Sequence, residues 1–444
     1  MFIARQKLIY TIAIGLVVLA LNACGGGRSS ATNVPPVPVA APLANDTDTT
    51  ESAIRFLEDR VKRDADDFIA YNKLVGYYLQ RQRETGSLTY LDLASRAARA
   101  SLAAIPAEQN VGGLTGLAMA AYGSHDFAGA REHALRLAQL DPSKSYPYQI
   151  LGDALLELGD YDKAAEAYRK MERLAGTSAN AETRLARYAL LHGETKIAAR
   201  RFSAALTLAL DLPSPPRETV AWCRWQLGET AFSIGDYESA ERHYTDALVT
   251  FPGYHHALAS LGRVLAARGD LAGAIDNFER AVNVIPDPAY VAALGDLYRL
   301  SGREKEAIAQ YALVEHIARL SVANGVMYNR QLALFYADHD IKVEEAYDSA
   351  VKEYATRRDI YGADAVAWTA LKAGKIAEAQ SAIKEALRLG TRDAKLFYHA
   401  GMIARAAGDP AQARDYLGRA LRLNPKFDPM QSLNAKNALE VMVG

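Results

Sequence analysis

Three aromatic side chains in one short stretch, Trp222, Trp225 and Phe232, have the types and spacing that suit a binding surface. They stand at positions i, i+3 and i+10, which share one side of a helix, and arginines flank them in the surrounding sequence. Aromatic and arginine side chains are enriched among the residues that contribute most to binding energy at interfaces. The stretch therefore predicts recognition of a partner. The alternative is that one or both tryptophans complete the packing between neighbouring structural units.

The chain lacks the motifs that mark catalytic sites. It contains no Gly-x-x-x-x-Gly-Lys-Ser/Thr phosphate loop, no Gly-x-Ser-x-Gly of hydrolases and no His-Glu-x-x-His of zinc proteases. The histidines are scattered, and the adjacent His255 and His256 open a helix on different faces, so a surface role is expected for them rather than a metal site. Cys223 has no second thiol inside its helix and is expected to be buried and inert. We expect no enzymatic activity, no cofactor and no bound metal.

Composition narrows the class of partner. The 444 residues include 51 basic and 52 acidic side chains, so the net charge is close to zero. This balance argues against a nucleic-acid-binding surface as the main activity of the protein. The high content of alanine and leucine favours an all-helical fold.

One sequence pattern occurs twice in residues 222–286, and related patterns recur through the rest of the chain. The first copy comprises Leu227, Gly228, Gly235, Asp236, Ala240, Tyr244, Ala247 and Pro252, and each has a counterpart 34 residues later. This period predicts stacked helix–turn–helix units, because one helix pair cannot bury its apolar face alone. The small Gly228 and Ala240 allow the two helices to approach closely, and Tyr244 fills the remaining space.

These residues resemble the tetratricopeptide repeat, a helix–turn–helix motif of 34 residues. Most signature positions of that family are matched in type, although Arg224 stands where an aromatic residue is usual. The resemblance covers nearly all of the chain after residue 50. It implies an all-α fold, a right-handed superhelical α-solenoid, with about ten repeats over residues 53–428 and a capping helix over residues 429–444.

In tetratricopeptide arrays the first helices of the pairs line a concave groove, where ligands usually bind. Helical geometry places ten side chains of this chain on that groove: Trp222, Trp225, Glu229, Phe232, Arg263, Arg184, Arg187, Tyr146, Gln149 and Asp153. The resemblance therefore extends the aromatic stretch to a longer candidate binding surface.

The N-terminus has the pattern of a secretory signal. Arg5 and Lys7 precede an apolar run over residues 8–21, which is shorter than the roughly 20 residues that a membrane-spanning helix needs. The sequence Leu-Asn-Ala-Cys that follows resembles the lipobox of bacterial lipoproteins. The resemblance implies a signal peptide over residues 1–23 and acylation of Cys24, the alternative being an ordinary signal peptide with an incidental cysteine.

Residues 24–52 are rich in glycine, serine, threonine, alanine and proline. A segment of this composition buries too little apolar surface to fold, so we expect a flexible linker between the lipidated cysteine and the array.

Together these features predict a membrane-anchored, non-enzymatic scaffold of the bacterial cell envelope that binds protein segments in its groove. The lipid anchor implies a location facing the periplasm or the cell exterior, at the outer membrane if the cell has one. The alternative is a carbohydrate-binding or accessory module of an envelope polysaccharide or enzyme system, because aromatic faces suit sugar rings.

Overall fold

The computed structural model describes residues 38, 40–43, 47–323 and 330–442. Every regular element within these ranges is an α-helix, and they contain no strand. The helices are α1 (Thr47–Arg63), α2 (Phe68–Thr85), α3 (Thr89–Ala104), α4 (Val111–Gly123), α5 (Phe127–Leu140), α6 (Tyr146–Glu157), α7 (Tyr161–Ala175), α8 (Ala179–Leu191), α9 (Thr195–Leu210), α10 (Arg217–Ser233), α11 (Tyr237–Thr250), α12 (His255–Arg268), α13 (Leu271–Val284), α14 (Pro288–Leu300), α15 (Glu304–Ala323), α16 (Arg330–Asp338), α17 (Val343–Thr356), α18 (Ile360–Lys372), α19 (Ile376–Ala386), α20 (Ala394–Ala406), α21 (Pro410–Leu423) and α22 (Gln431–Val441). The predicted all-α solenoid is confirmed.

Helices α2 to α21 form ten consecutive pairs, which we number repeats 1 to 10; α1 precedes them and α22 follows them. In repeats 3, 5, 6, 7 and 10, a glycine of the first helix allows close approach of the two helices. A Cβ atom added to Gly228 would lie 2.3 Å from the ring of Tyr244, which is buried. The packing predicted for Gly228 and Tyr244 is therefore present, and it fixes the distance between the two helices of repeat 5.

The predicted signal peptide and Cys24 lie outside the described residues. Within the described ranges, no helix combines the length and the apolar character needed to cross a bilayer.

The predicted end of the flexible linker at residue 52 is wrong, because α1 begins at Thr47. Arg217 on α10 donates a hydrogen bond to the hydroxyl of Thr47 (2.8 Å), and Arg224 donates one to the carbonyl oxygen of Pro38 (3.2 Å). Leu43 packs against the apolar cluster that contains Phe202. Contacts with distant parts of the array therefore order this segment, although its composition alone predicts a coil.

The array also contacts itself over long sequence distances. The turns within repeats 3, 4 and 5 meet the loops that follow repeats 8, 9 and 10, and we call these contacts the seam. In the first contact, the amide of Ile360 donates a hydrogen bond to the hydroxyl of Tyr161 (2.8 Å), and Arg388 donates one to the carbonyl oxygen of Gly159 (2.9 Å). Helix pairs in an open solenoid contact only their neighbours, so the seam is an additional constraint on this array.

The other two seam contacts follow the same plan. The hydroxyl of Thr391 donates a hydrogen bond to the carbonyl oxygen of Leu191. The side chain of Asn424 donates one to the carbonyl oxygen of Phe232 (2.7 Å), and Tyr237 donates one back to Asn424 (2.5 Å). Buried backbone carbonyls at these turns are thus satisfied by repeats that lie far away in the sequence.

Replacing Gly159 by alanine should destabilise the protein more than replacing Gly408, although both glycines have nearly the same φ (77° and 78°). A Cβ atom at Gly408 meets no atom within 4 Å, so we expect only the left-handed backbone strain of about 1–2 kcal/mol. A Cβ atom at Gly159 would lie 2.1 Å from the carbonyl oxygen of Arg358, which adds about 1–3 kcal/mol of overpacking. Thermal unfolding of the two variants measures the difference, and equal melting temperatures would contradict the seam.

Candidate functional site: the concave face of the first helices

An acidic residue directly follows the close-approach glycine in the first helix of repeats 3, 5 and 7. In each case a tyrosine of the second helix donates its hydroxyl hydrogen to that carboxylate. The bonds run from Tyr168 to Asp153 (2.7 Å), from Tyr244 to Glu229 (2.6 Å) and from Tyr311 to Asp296 (2.7 Å). The same tyrosine ring therefore packs on the glycine and orients the neighbouring acid.

Each of these acids also binds a basic side chain from the next repeat. Arg184 of repeat 4 binds Asp153 (2.8 Å), Arg263 of repeat 6 binds Glu229, and the Nε2 atom of His339 in repeat 8 lies 2.8 Å from an oxygen of Asp296. Acidic repeats thus alternate with basic repeats from repeat 3 to repeat 8. These contacts of tyrosine, acid and base join repeat 3 to repeat 4, repeat 5 to repeat 6, and repeat 7 to repeat 8.

The structure accordingly brings together four of the predicted groove residues as two ion pairs, Asp153 with Arg184 and Glu229 with Arg263. Arg187, also predicted for the groove, donates a hydrogen bond to Glu157 (3.1 Å). Glu157 in turn binds Arg357 across the seam. The sequence prediction missed Glu157 and Arg357, because their pairing depends on the long-range coiling of the array.

The electrostatics of Glu229 follow from these contacts. Burial acts to raise the pKa of the Glu229 carboxyl, but the Arg263 guanidinium and the hydrogen bonds from Tyr244 and Ser260 outweigh it. The pKa of Glu229 therefore lies below its usual range. Burial beside this carboxylate raises the pKa of Tyr244 well above its usual value. The pair is charged at neutral pH, and the tyrosine acts as a hydrogen-bond donor.

The predicted aromatic stripe is half-buried and engaged in contacts between repeats. Trp225 donates its indole hydrogen to Ser260 of repeat 6 (2.9 Å) and stacks on His256 with ring centroids 4.6 Å apart. Trp222 packs edge-on against Phe202 of repeat 4. Phe232 is 6% exposed and lies under the Arg263 guanidinium. These contacts show that the stripe contributes to packing between repeats, while the exposed parts of both tryptophans remain a candidate binding surface.

The remaining two predicted groove residues lie apart from this cluster, on α6 of repeat 3. Tyr146 is half-buried and donates a hydrogen bond to Asp141 (2.8 Å). Gln149 is half-buried and lies one helical turn before Asp153. Gln149 therefore shares the face of α6 that carries the acid of repeat 3.

The expected surface role of His255 and His256 is wrong. His255 is 5% exposed, and both rings approach the hydroxyl of Tyr290, with Nδ1 at 3.2 Å for His255 and 2.9 Å for His256. Burial lowers the pKa of His255 to about 4, and burial beside His255 lowers that of His256 to about 3. Both imidazoles are therefore neutral at physiological pH, and with Tyr290 they form a polar link between repeats 6 and 7.

Cys223 is fully buried, and burial raises the pKa of its thiol to about 12. The expected burial of this thiol is confirmed. Among the described residues, no group of three or more histidine, cysteine or acidic side chains is arranged to hold a metal ion.

The pairing on the concave face has a signal in the sequence that could have revealed it. The dipeptides at residues 152–153, 228–229 and 295–296 are glycine followed by an acid, and a tyrosine stands 15 residues after each acid. This spacing places the tyrosine opposite the glycine within one helix pair. The carboxylate at that position therefore accepts a hydrogen bond from the tyrosine hydroxyl even when no ligand is bound.

The link between repeats 7 and 8 should depend on pH. Burial alone would lower the pKa of His339, but its hydrogen bond to Asp296 and the Phe335 carbonyl against its Nδ1 atom outweigh this effect, and the pKa is raised. The stabilisation is therefore complete below about 6.5, the pKa of an unfolded histidine, and is lost as the pH rises through the raised folded-state value. We expect His339→Gln to cost about 1–3 kcal/mol at acidic pH and progressively less at alkaline pH.

Thermal unfolding of His339→Gln and wild type across this pH range measures the effect. The matched control is Arg263→Gln, which removes the equivalent link of repeats 5 and 6. Because arginine stays protonated throughout, its effect should not vary with pH in the same way. A cost of His339→Gln that is independent of pH would show that His339 is not bound to Asp296 as an imidazolium.

Known proteins resemble this chain in its repeats. A family model described as tetratricopeptide repeat matches residues 115–179, 226–291 and 366–426. The chain is 26% identical over 187 residues to human Superkiller complex protein 3, covering 42% of this chain and 12% of that protein. It is 26% identical over 187 residues to the Protein CTR9 homolog of Arabidopsis thaliana, covering 40% of this chain and 17% of that protein. The matches thus span less than a fifth of these relatives.

Among solved structures, the chain is similar to PilW, described as a widely conserved type IV pilus biogenesis factor. The similarity has 19% sequence identity and a TM-score of 0.40, and it covers 46% of this chain and 91% of PilW. At this identity the likeness concerns the fold alone. The three segments matched by the family model are tetratricopeptide repeats, and the described part of the chain is an all-helical solenoid that contains them.

Proposed function

We propose that this protein is a membrane-anchored, non-enzymatic scaffold of the bacterial cell envelope, which holds segments of partner proteins on the concave face of its array. Tetratricopeptide repeats generally mediate protein–protein interactions. The anchor is proposed at Cys24, on the basis of the lipobox-like sequence at residues 21–24.

The observation that carries the proposal is the composition of the concave face in repeats 3 to 6. Its charged side chains are paired yet remain accessible, since the side chains of Arg187 and Arg263 are 36% and 39% exposed. Trp222 and Trp225 are half-buried and belong to repeat 5, which stands between the repeats that carry these two arginines. Partly exposed arginines beside aromatic rings are typical of the residues that dominate binding energy at interfaces.

The pairing also limits which partner fits. A partner that breaks the Glu229–Arg263 pair leaves a charge without its bond, so it must supply an equivalent hydrogen bond or ion pair. A polypeptide that carries both acidic and basic side chains meets this requirement, whereas a purely apolar segment does not. The proposed partner is therefore a polar segment of mixed charge.

Site-specific photocross-linking in cells tests where the partner binds. A photoreactive phenylalanine in place of Gln149 lies on the concave face of repeat 3, and the same residue in place of Arg169 lies exposed on the second helix of that repeat. We expect discrete protein adducts from position 149 and none from position 169. Adducts from position 169 alone, or from neither position, would contradict the proposal. An adduct whose added mass is removed by glycosidases and contains no second polypeptide would favour the carbohydrate-binding alternative.

The anchor is tested separately by replacing Cys24 with serine. The variant cannot be acylated and so lacks the acyl chains that would hold it at the bilayer. We expect it to move from the membrane fraction to the soluble fraction on fractionation of cells. Cys223→Ser, which changes a buried thiol, is the control and should remain with the membrane. Unchanged fractionation of Cys24→Ser would refute the lipid anchor and leave the groove proposal untouched.

A further inference from the structure

A cavity of about 270 Å³ lies where repeats 8, 9 and 10 meet the terminal helix α22. Its walls include Asp338, Trp368, Tyr398, Asp428 and Gln431. A water molecule takes up about 30 Å³ in the liquid, so the cavity is large enough for a small organic group. It lies in repeats other than those that carry the predicted aromatic stripe, and the proposed scaffold role does not require it.

One buried polar atom at this cavity has no partner. Gln431 is 6% exposed, and its Nε2 atom donates a hydrogen bond to Asp338 (2.8 Å). The carboxylate is an obligate acceptor at neutral pH, so the amide orientation is fixed and the Oε1 atom faces away from it. Among the described residues no donor reaches this Oε1 atom. A buried acceptor without a donor is unfavourable, and a ligand that donates a hydrogen bond would satisfy it.

A second acceptor lies in the cavity wall, on the residue that caps α22. The Oδ1 atom of Asp428 accepts hydrogen bonds from the backbone amides of Met430 (2.9 Å) and Gln431 (2.8 Å) and thereby caps α22. The structure describes no donor for the Oδ2 atom. Burial raises the pKa of Asp428; Lys395 opposes this effect, and nearby Asp338 and Asp296 add to it. The positive charge that acts on this carboxylate comes from Lys395, whose ammonium is itself bonded to Asp338.

The basic side chains around the cavity are already engaged. Lys372 binds Asp340 (2.7 Å), and Lys395 binds Asp338 (3.3 Å). His339 binds Asp296, and Arg299 lies over the ring of Tyr311 and 3.6 Å from Glu304. None of these contacts reaches the free oxygen of Asp428 or the Oε1 atom of Gln431. The cavity thus presents two acceptors and no competing donor for them within the described residues.

We propose that this cavity binds a primary ammonium group, which donates hydrogen bonds to Asp428 Oδ2 and Gln431 Oε1. An ammonium carries three donors and no acceptor, so one such group can donate to both the carboxylate oxygen and the amide oxygen. The group belongs either to a lysine side chain of a partner polypeptide or to a free alkylamine. Both sources present the same alkylammonium to the cavity.

The indole N–H of Trp368 reports on the site, because it donates a hydrogen bond to Asp338 (2.7 Å) at the cavity wall. The full chain, labelled with ¹⁵N at its three tryptophans, is titrated with butylammonium chloride. We expect a saturable shift of the Trp368 resonance, with no shift for Trp222 and Trp225, which serve as internal controls. 1-Butanol, which lacks the charge, should give no such shift. The absence of a saturable shift with butylammonium, or an equal shift with butanol, would overturn the proposal.

Two variants and one matched control test the ligands. Asp428→Asn keeps the capping oxygen of α22 and replaces the free oxygen by an amide NH2 group, which donates instead of accepting. Gln431→Met removes the second acceptor at similar volume. Each should weaken butylammonium binding by about tenfold or more, the equivalent of one charge-assisted hydrogen bond. Asp409→Asn changes the corresponding cap of α21, whose Oδ1 atom accepts from the Gln412 amide (2.9 Å), and should bind like wild type. Equal losses in Asp409→Asn and Asp428→Asn would show a general charge effect and overturn the site.

A second probe, an acetylated and amidated Gly-Lys-Gly tripeptide, distinguishes a lysine of a partner polypeptide from a free alkylamine. Tighter binding of the tripeptide than of butylammonium assigns the cavity to a lysine of a partner polypeptide. Binding of butylammonium with exclusion of the tripeptide assigns it to a free amine. Both outcomes support an ammonium site, and failure of both probes overturns it. A loss of the scaffold function with intact amine binding would leave this inference standing.

Discussion

Close approach between two backbones at the seam is the constraint on which the rest of the structure depends. The turn at Gly159 lies against the carbonyl of Arg358, and Tyr161 accepts a hydrogen bond from the amide of Ile360, 199 residues further along the chain. An open solenoid derives its stability from each repeat and its neighbours. Here repeat 3 is also bound to the loop after repeat 8. The seam therefore fixes how far the array coils per repeat, and with it the curvature of the concave face.

The concave face follows a second rule, the alternation of acidic and basic first helices from repeat 3 to repeat 8. A tyrosine hydroxyl orients each acid, and the next repeat neutralises it, so that charges which would be costly to bury alone are held in bonded pairs. The face is thus stable without a ligand and still presents arginine and tryptophan side chains to one. The proposed partner must therefore replace the bonds that its binding disrupts.

The sequence predicted those features that depend on residues close together in the chain. In repeats 3, 5 and 7 a glycine of the first helix packs against a tyrosine of the second helix, and glycine turns recur along the chain, so Gly228 and Tyr244 identify the motif and the all-α solenoid. The seam could not be predicted, since the partners of Gly159 and Tyr161 are set by the coiling of six repeats. The helical start at Thr47 was missed for the same reason, because Arg217 supplies its bond. The burial of His255 was also missed, because its partner Tyr290 belongs to the next repeat and the periodicity of a single helix gives no information about that contact.

Hydrogen exchange of the Ile360 amide measures directly whether repeat 3 contacts the loop after repeat 8 at the seam. This amide, at the start of α18, has the hydroxyl of Tyr161 as its acceptor (2.8 Å). We expect slow exchange in the wild type and much faster exchange in Tyr161→Phe, which lacks the acceptor. The Gly273 amide, bound to Asp270 within its own repeat (2.9 Å), should exchange at the same rate in both proteins. Equal exchange of Ile360 in the two proteins would contradict the seam.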